Sequence, residues 1–513
     1  MQKIKDFLKK NWVLLLIIVV AAGLRLYKLD VLPPGLYPDE AANGQDVIRM
    51  LEEGDHQVIY GTNGPREALF IYMQGFFVWL GKTFDIAALK FTALSLRLAP
   101  AIIGTLTVWA VYLFGKELSN KKEVGLLAAA AMAVSSWHIQ FSRNGFRAIM
   151  LPLILCFVFY FFIRAYREGK LKDYLWFGAF LGLGFYTYLS IRMLPLVFMA
   201  FILWTWLFDK KFLKENYKKV LWALGAFGVV MIPMLIHFVH VPADIFGRAS
   251  TSIFNPELNN GSAIKTLLLN IKKELLMFNF AGDENFRHNL GGSPMLELAT
   301  GIFMWVGAAI SVIKIKKVEH FLLLALFGAM SVPMVITAEG IPHALRLVGT
   351  LPVIFVWIGL GINFVLEKIK SPKFRYLAAA LIVLVAGFFG AKKYFVDFPS
   401  HAEAREAYTE DMVYMAENLN NLSAVDMNYL ITGEFGLKTV YFLTHEKNPP
   451  ITQLETYEIE NEFRPTSQSF RVYVTPSWLP EARKSLIHLK YQLDFTPVKS
   501  RVDGRTLYYV GKN

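Results

Sequence analysis

The sequence carries an apolar run, WVLLLIIVVAAGLRLYKL at residues 12–29, followed closely by an acidic turn, LYPDEAANGQ at residues 36–45. About 20 predominantly apolar residues are enough to cross a bilayer as a helix. A basic segment, MQKIKDFLKKN, precedes the run as in a signal peptide, but the run is long for one and no small-residue cleavage site follows. We therefore predict a retained first span with a cytoplasmic N-terminus.

The composition indicates a membrane protein. Of the 513 residues, 55% are hydrophobic and only 18% are charged, whereas soluble domains carry about 25% charged residues. The net charge of +12 comes largely from lysines and arginines in short loops between apolar runs, a pattern that the positive-inside rule explains and nucleic-acid binding does not. The single cysteine, Cys156, excludes a disulfide within the chain.

Ten further apolar runs have the approximate length of a span: 95–115, 123–139, 150–166, 173–189, 191–208, 220–237, 296–313, 320–337, 346–366 and 375–391. The segment 67–84 is ambiguous. If it does not span, five short basic loops, such as DKKFLKENYKK, all face the cytoplasm, as the positive-inside rule requires. We therefore predict about eleven spans, an interfacial helix at 67–84 and a C-terminus outside the cytoplasm.

The loops on the other face have a different composition, because acidic, amide, histidine and arginine side chains lie among glycines and prolines. They include a first outer loop at 30–94 and a long outer loop at 238–295. Together with the spans they form a predicted membrane domain at 1–391. We predict that the inner loops carry topology signals and that the outer loops carry a site.

Hydropathy falls after residue 391, and a separate soluble α/β domain is predicted at 392–513 outside the cytoplasm. An amphipathic helix pattern covers 401–421 and a second one covers 479–489. Short β-like runs are 427–432, 438–444, 471–475 and 506–511. The predicted fold class is thus an α-helical polytopic membrane protein with a C-terminal α/β domain.

Asp39 in the acidic turn admits two interpretations. It follows Pro38 and precedes residues with helical spacing, so it is suited to cap a short helix that Gly54 ends. The alternative is chemistry, because other outer segments also carry charged and polar groups. Those groups are Arg66, Glu67, Arg143, Arg147, Asp283, Glu284, Asn285, Arg287, His288, Glu339, His343 and Arg346. Any one of the arginines is explained by snorkelling to the interface, but four such segments at one leaflet favour a site.

A carboxylate facing guanidinium groups at a bilayer surface is suited to glycosyl transfer from a lipid phosphate. The carboxylate takes the proton of an acceptor hydroxyl, and a nearby anion also favours an oxocarbenium-like transition state. Arginine and histidine donors stabilise the negative charge that develops on the departing phosphate.

The order of these segments resembles the GT-C superfamily of glycosyltransferases, most closely the family 39 group of protein O-mannosyltransferases and aminoarabinose transferases. The resemblance covers roughly residues 10–390 and rests on PDEAANG, LSLRLAPAIIGTLTVWAVYLFGKEL, SSWHIQFSRNGFRAIMLP, GDENFRHNLGGSPMLEL and IPHALRLVGTLP. It implies an inverting enzyme that uses a polyprenyl-phosphate sugar, with Asp39 as general base and Glu40 and Glu67 as accessory carboxylates. We expect substrate contacts from Arg66, Arg143, Arg147, Asp283, Asn285, Arg287, His288, His343 and Arg346.

The expected partners are the polyprenyl-phosphate sugar donor, a lipid, glycan or protein acceptor, and membrane lipids, in a bacterial inner (plasma) membrane. No nucleic acid and no cofactor are expected. Asp39, Glu40, Asp283 and Glu284 are able to bind a hard divalent cation, but we predict no metal because the arginines already supply positive charge.

Three other functions stay open from the sequence. A transporter or flippase of a lipid-linked substrate is the main alternative, although transporters place polar groups near the bilayer midplane and these spans are nearly free of charge there. The others are a non-catalytic scaffold and a transferase that uses a pyrophosphate carrier. A Trp-Trp-Asp motif in the C-terminal domain would support an oligosaccharyltransferase, and the sequence has none.

Overall fold

The structure is a computed structural model that describes residues 2–245, 252–255, 257, 261–422, 427–465 and 469–512. Up to residue 400 it is helical apart from two short paired strands, β1 (Ile59–Tyr60) and β2 (Arg66–Glu67). The α-helices are α1 (Gln2–Leu26), α2 (Pro38–Ile48), α3 (Leu69–Thr83), α4 (Ala93–Ser119), α5 (Lys122–Val134), α6 (Ser136–Phe141), α7 (Met150–Glu168), α8 (Leu171–Gly184), α9 (Leu194–Phe208), α10 (Lys211–His240), α11 (Ala263–Met277), α12 (Leu298–Ile313), α13 (Val318–Val335), α14 (Leu351–Leu366), α15 (Pro372–Lys392) and α16 (Phe398–Ser400).

The C-terminal region alternates helices with the strands of one sheet. Its helices are α17 (Ala402–Ala407), α18 (Glu410–Asn420), α19 (Glu434–Thr444), α20 (Ile459–Glu462) and α21 (Leu479–His488). Its strands are β3 (Met427–Ile431), β4 (Ile451–Leu454), β5 (Phe470–Val474), β6 (Asp494–Lys499) and β7 (Thr506–Lys512).

The protein is a multi-pass membrane protein. In the described part of the chain, seven helical segments are long and apolar enough to cross a bilayer: 93–119, 147–168, 189–208, 211–240, 318–335, 348–366 and 372–400. The predicted spans at 123–139, 173–189 and 296–313 fall on α5, α8 and α12, which have 13, 14 and 16 residues. The predicted total of about eleven therefore stays a prediction. The ambiguous segment 67–84 forms α3, a helix of 15 residues.

Small residues bring membrane helices into close contact. A Cβ atom at Gly307 of α12 would overlap the carbonyl oxygen of Trp357 in α14, and one at Gly361 of α14 would overlap the carbonyl oxygen of Phe303 in α12. Helix association in lipid depends on this kind of backbone approach, because there is no hydrophobic driving force between apolar surfaces there. The two glycines therefore fix the packing of α12 against α14.

The chain forms two compact units. The first comprises 1–29, 56–73 and 98–400, and the second comprises 30–55, 74–97 and 401–513. Most of the first outer loop thus belongs to the same unit as the C-terminal region. The predicted division of the chain at residue 391 stays a prediction.

The sheet of the second unit has the strand order β4-β3-β5-β7-β6. Strand β3 runs parallel to β4 and β5, whereas β7 runs antiparallel to β5 and β6. Two clusters of buried apolar residues pack against it, one around Leu430 and Leu437 and the other around Tyr429 and Phe463. Neighbouring residues along β3 thus contribute to different clusters, as the alternation of side chains along a strand requires.

The α/β character of the C-terminal region is confirmed, with one wrong element and two that were not predicted. The predicted strand at 438–444 is part of helix α19. The buried residues of this segment, Leu437, Val440 and Thr444, follow helical spacing. A helix buries all three on one face, and this outweighs the β-propensity of the run. Strands β4 and β6 were missed; β6 lies at the edge of the sheet, is largely exposed and contains Pro497.

Candidate functional site

Asp39 lies in the first turn of α2 and does not cap it. The helix begins at Pro38, with Tyr37 in the N-cap position, so Asp39 is its second residue. The capping interpretation of Asp39 is therefore wrong. After Ile48 the chain continues as a π-helical turn, Arg49–Glu53, which ends at Gly54 with a left-handed backbone, so the predicted end of the helical segment is confirmed. The Asp39 side chain is partly exposed, and the positive end of the helix dipole favours a carboxylate in this turn.

Glu40, the neighbour of Asp39, forms a buried ion pair. Its Oε2 accepts a hydrogen bond of 3.0 Å from Nε of Arg97, and both side chains are fully buried. Arg97 also donates to the carbonyl oxygens of Pro33 (3.0 Å) and Gly35 (2.5 Å). Glu40 therefore ties α2 to the preceding turn through Arg97, and its predicted role as an accessory catalytic carboxylate stays a prediction. Arg97 is not among the predicted site residues, because it lies within an apolar run.

Glu67 is also engaged by an arginine. Its Oε2 accepts a 2.6 Å hydrogen bond from Nε of Arg147, and the guanidinium of Arg147 stacks on the ring of Tyr188 at 5.6 Å. Arg66, next to Glu67 in β2, donates to the hydroxyl of Thr62 at 3.2 Å. Two of the predicted site residues, Glu67 and Arg147, are thus brought together by the structure as an ion pair.

Arg143 holds the end of the first helix. Its Nε donates to the hydroxyl of Tyr394, and its two terminal nitrogens donate to the carbonyl oxygens of Leu24, Arg25, Tyr27 and Lys28. A guanidinium has five N–H groups, and four of these five bonds go to carbonyls at the helix end, where carbonyls lack helical partners. Arg143 thus fixes the end of α1, and its predicted substrate contact stays a prediction.

The other predicted residues gather around one cavity of about 730 Å³ in the first unit. It lies between α11, the segment after α11 and the segment before α14. Asp283, Asn285, Arg287, His343 and Arg346 line it, which brings together two predicted segments that are about 60 residues apart in the sequence. Lys273 of α11 also lines the cavity and was missed, because its helix contains several charged residues and no motif distinguishes one of them.

Asp283 joins the two segments. Its Oδ2 accepts hydrogen bonds from Nδ1 of His288 (2.8 Å) and from the backbone N–H of Ala344 (2.7 Å), and its Oδ1 accepts one from the N–H of Asn285 (2.8 Å). Burial opposes ionisation, but these hydrogen bonds outweigh it and hold the pKa of Asp283 below its usual value. The carboxylate is therefore charged and fixed in orientation.

The two histidines are neutral at pH 7. Burial lowers the pKa of His288. Burial, followed by electrostatic repulsion from Arg346 and from His288 once that ring is protonated in acid, lowers the pKa of His343 to about 3. The two rings lie 4.7 Å apart, and Nδ1 of His343 is buried without a hydrogen-bond partner among the described residues. A neutral imidazole keeps one donor and one acceptor, so this nitrogen is able to bind a further polar group.

Three cations face the cavity and are held by neutral partners. Nε of Arg287 donates to the Asn285 side chain at 2.9 Å. Arg346 donates to the carbonyl oxygen of Glu339 at 3.0 Å, and Lys273 to that of Ile341 at 3.2 Å. Three acidic residues, Asp283, Glu284 and Glu339, line the same cavity, so its lining carries charges of both signs. The guanidinium groups of Arg287 and Arg346 are the groups in this lining that suit an anion such as a phosphate.

Asp283, His288 and His343 also offer three possible metal ligands, whose donor atoms lie within 4.8 Å of one another. The hydrogen bond from Nδ1 of His288 to Asp283 occupies that nitrogen, and Nε2 of the same ring stays able to bind a metal. The predicted absence of a metal stays a prediction.

The comparisons with known proteins agree on one kind of enzyme. The sequence model of the family described as dolichyl-phosphate-mannose-protein mannosyltransferase matches residues 75–237. The structure of ArnT from Cupriavidus metallidurans bound to undecaprenyl phosphate is similar, with a TM-score of 0.57 at 11% identity over 98% of each chain. So is that of the archaeal oligosaccharyltransferase AglB from Archaeoglobus fulgidus in complex with an inhibitory peptide and a dolichol-phosphate. Its TM-score is 0.53 at 15% identity, over 96% of this chain and 70% of that one.

No curated protein matches the chain by sequence. Identities as low as those to ArnT and AglB show a shared fold, and the match over 75–237 adds a family of mannosyltransferases. The predicted resemblance to the GT-C superfamily and the predicted enzyme class, a glycosyltransferase, are confirmed.

Proposed function

We propose that this chain, a glycosyltransferase with the GT-C fold, moves a sugar from a polyprenyl-phosphate donor to a hydroxyl group of an acceptor. The reaction inverts the anomeric centre and takes place on the outer face of the inner (plasma) membrane. The observation that carries the proposal is the cavity lined by Lys273, Arg287 and Arg346, because a site that releases a phosphate needs fixed positive charge at the leaving group.

The cavity fits the phosphate of the donor chemically. As the bond between the anomeric carbon and the phosphate oxygen breaks, the leaving oxygen gains negative charge, which guanidinium groups stabilise through paired hydrogen bonds. ArnT is described in complex with undecaprenyl phosphate and AglB in complex with a dolichol-phosphate, which supports a polyprenyl-phosphate carrier for this chain.

The general base is Asp39, which is assigned by the resemblance to the family and independently of the cavity. Its carboxylate accepts the proton of the acceptor hydroxyl while the hydroxyl oxygen forms the new bond to the anomeric carbon. The old bond breaks on the opposite side of that carbon, so its configuration inverts. The partly exposed position of Asp39 in the first turn of α2 leaves the carboxylate accessible to such a hydroxyl.

The experiment incubates the purified full-length protein in nanodiscs with a panel of polyprenyl-phosphate and polyprenyl-pyrophosphate sugars. Mass spectrometry then follows loss of the lipid-linked sugar. We expect consumption of a monophosphate donor, and a loss of about 100-fold or more in turnover for Asp39→Asn, which keeps the shape but removes the base. Glu53→Gln, an exposed carboxylate in the helical turn before Gly54, is the matched control and should keep full activity.

The cavity is tested separately from the base. Arg346→Gln and Arg287→Gln should each lower turnover by about 10- to 100-fold, because each removes a charge that stabilises the leaving group. Consumption of only pyrophosphate donors would contradict the proposed donor class. Full turnover by Asp39→Asn would contradict the assigned base.

A further inference from the structure

The peptide that leads into α2 is held by two hydroxyl groups of the C-terminal region, all within the second unit. Thr409 and Thr439 each donate a hydrogen bond of 2.8 Å to the carbonyl oxygen of Leu36, which lies three residues before Asp39. A carbonyl oxygen has two lone pairs and each hydroxyl has one proton. Two donors on one buried acceptor therefore satisfy it completely, and they fix its direction.

Thr409 adopts an unfavourable backbone to do this. Its φ of 50° and ψ of 52° place a β-branched residue in the left-handed region, which such residues rarely occupy. It is the N-cap residue of α18, yet its side chain makes no cap hydrogen bond to that helix. Threonine at this position normally caps the helix. Strain of this kind persists where the surroundings demand it, often at functional sites.

The contacts around Leu36 are close and specific. A Cβ atom at Gly35 would overlap the carbonyl oxygen of Tyr408, and one at Gly44 would overlap the ring of Phe442 in α19. The ring of Tyr37 packs edge-on against that of Tyr408, with 6.3 Å between ring centroids. The C-terminal region therefore contacts both the turn before α2 and the helix itself.

The far end of the same loop is also connected to the C-terminal region. Glu52 accepts hydrogen bonds from Lys82 at 2.5 Å and from His445 at 2.9 Å, and the ring of His445 packs edge-on against Phe91 at 4.7 Å. These ion pairs are partly exposed and contribute little on their own. The Leu36 carbonyl and Thr439 are buried and Thr409 is half-buried, so the Thr409–Leu36–Thr439 arrangement is the stronger constraint on α2.

We propose that the C-terminal domain is a positioning element for the catalytic turn, in which the hydroxyls of Thr409 and Thr439 hold the Leu36 carbonyl and so fix the helix that carries Asp39. The proposal rests on the proposed function, in which Asp39 is the base. Catalysis depends on such fixation, since a displacement of about 1 Å can lower a rate by about 100-fold. Thr409 and Thr439 are positioning residues and do not touch the substrate.

The test uses the full-length protein with Thr409→Val, Thr439→Val and both together, which remove the hydroxyls at constant shape. Thr444→Val is the matched control, because Thr444 is buried in helix α19 as Thr439 is, but its hydroxyl donates to the Val440 carbonyl within that helix. Hydrogen exchange is measured at the amides of Glu40 and Ala41, which bond to the Tyr37 carbonyl in the first turn of α2. This measurement needs no substrate.

We expect exchange at these amides to be about five- to tenfold faster in each single variant, as loss of a buried hydrogen bond implies, and unchanged in Thr444→Val. With polyprenyl-phosphate mannose or the panel donor that the wild type consumes, kcat of the double variant should fall about 10- to 100-fold at unchanged KM. Thr439→Ser, which restores a hydroxyl, should recover most of both effects.

Exchange in the double variant equal to that of Thr444→Val would overturn the proposal, and so would faster exchange with undiminished kcat. A raised KM for the acceptor at unchanged kcat would also overturn it, because the domain would then act in acceptor binding. The assignment of Asp39 as the general base is contradicted by a different result, full turnover by Asp39→Asn. A failure of the proposed function is therefore distinguishable from a failure of the proposed positioning role.

Discussion

Buried arginines in this protein bind the backbone as well as carboxylates. Arg97 links two carbonyls and Glu40, and Arg143 binds four carbonyls at the end of α1. A guanidinium satisfies several acceptors that no water would otherwise reach. A sequence shows that an arginine lies near a span but not whether its N–H groups are directed towards backbone or substrate, so Arg143 was predicted as a ligand and Arg97 was not noticed.

The Glu40–Arg97 pair predicts a large effect of removing one partner. Glu40→Ala leaves the buried Arg97 without its carboxylate, and breaking a buried pair costs about 3–5 kcal/mol of the free energy of unfolding. We expect a drop of several degrees in the thermal unfolding midpoint, Tm, measured by intrinsic fluorescence in detergent. Glu446→Ala, which removes an exposed partner of Lys90, should leave Tm within one or two degrees, since such a pair contributes at most about 1 kcal/mol. Equal Tm values for both variants would contradict this.

Glu274 on α11 predicts a pH dependence of stability. Burial raises the pKa of this carboxyl to about 7, although a hydrogen bond from Ser331 acts in the opposite direction and lowers the pKa. The pKa of Glu274 is higher in the folded protein than in the unfolded chain, so the protonated carboxyl stabilises the folded state. This contribution to the free energy of unfolding is fully present below about pH 4.5 and is lost as the pH rises through about 7. The loss approaches about 1.4 kcal/mol per pH unit in that window.

The measurement compares Tm at pH 5.0 and pH 7.5. The wild type should lose more Tm over this interval than Glu274→Gln, which mimics the protonated acid and should be the more stable protein at pH 7.5. Glu284→Gln, at an exposed carboxylate, should keep the wild-type difference. If all three proteins shift equally, the buried acid does not titrate in this window.

At the scale of elements, the spacing and length of the apolar runs predict most of the helices. The predictions fail where the backbone breaks within an apolar run. The predicted span 123–139 divides at Ser135, whose extended backbone ends α5 and precedes α6. No proline or glycine signals this break in the sequence. The same limit applies to 438–444, whose β-branched and aromatic residues suit a strand, because burial of Val440 and Thr444 on one face of a helix is not visible in the sequence.

The contact between α12 and α14 predicts a position-specific effect of adding one methyl group. Gly307→Ala should destabilise the protein and lower Tm by several degrees, because its Cβ would overlap the backbone of Trp357. Gly328→Ala in α13 is the control, as nothing lies within 4 Å of its Cβ, and alanine is the better helix former by about 1 kcal/mol. A lower Tm for Gly328→Ala than for Gly307→Ala would contradict the packing.

At the scale of the molecule, the sequence predicted the membrane class, the C-terminal α/β fold and the cluster of 283–288 with 343–346. It could not predict which charges satisfy one another, because Glu40 and Arg97, or Glu67 and Arg147, pair across 57 and 80 residues. Long-range pairing of charges follows from helix packing, and hydropathy does not contain that information. The predicted orientation in the membrane also needs its own experiment.

Orientation is testable because the single native thiol, Cys156, is buried. We predict that Lys121→Cys, in a basic loop between α4 and α5, reacts with a membrane-impermeant maleimide only after the cells are opened. Glu446→Cys, in the C-terminal domain, should react in intact spheroplasts. The reverse pattern would contradict the predicted topology, and unmodified wild-type protein is the control for Cys156.

The bonds from Thr409 and Thr439 to Leu36 close sequence separations of 373 and 403 residues. At a synthesis rate of about 10 residues per second, the first loop waits roughly 40 seconds for the strands and helices that hold it. A ribosome that stops early thus releases a chain in which the membrane helices are present but the acidic turn is not anchored. Under the proposed function, a chain therefore gains its activity only after the residues that hold the Leu36 carbonyl have been translated.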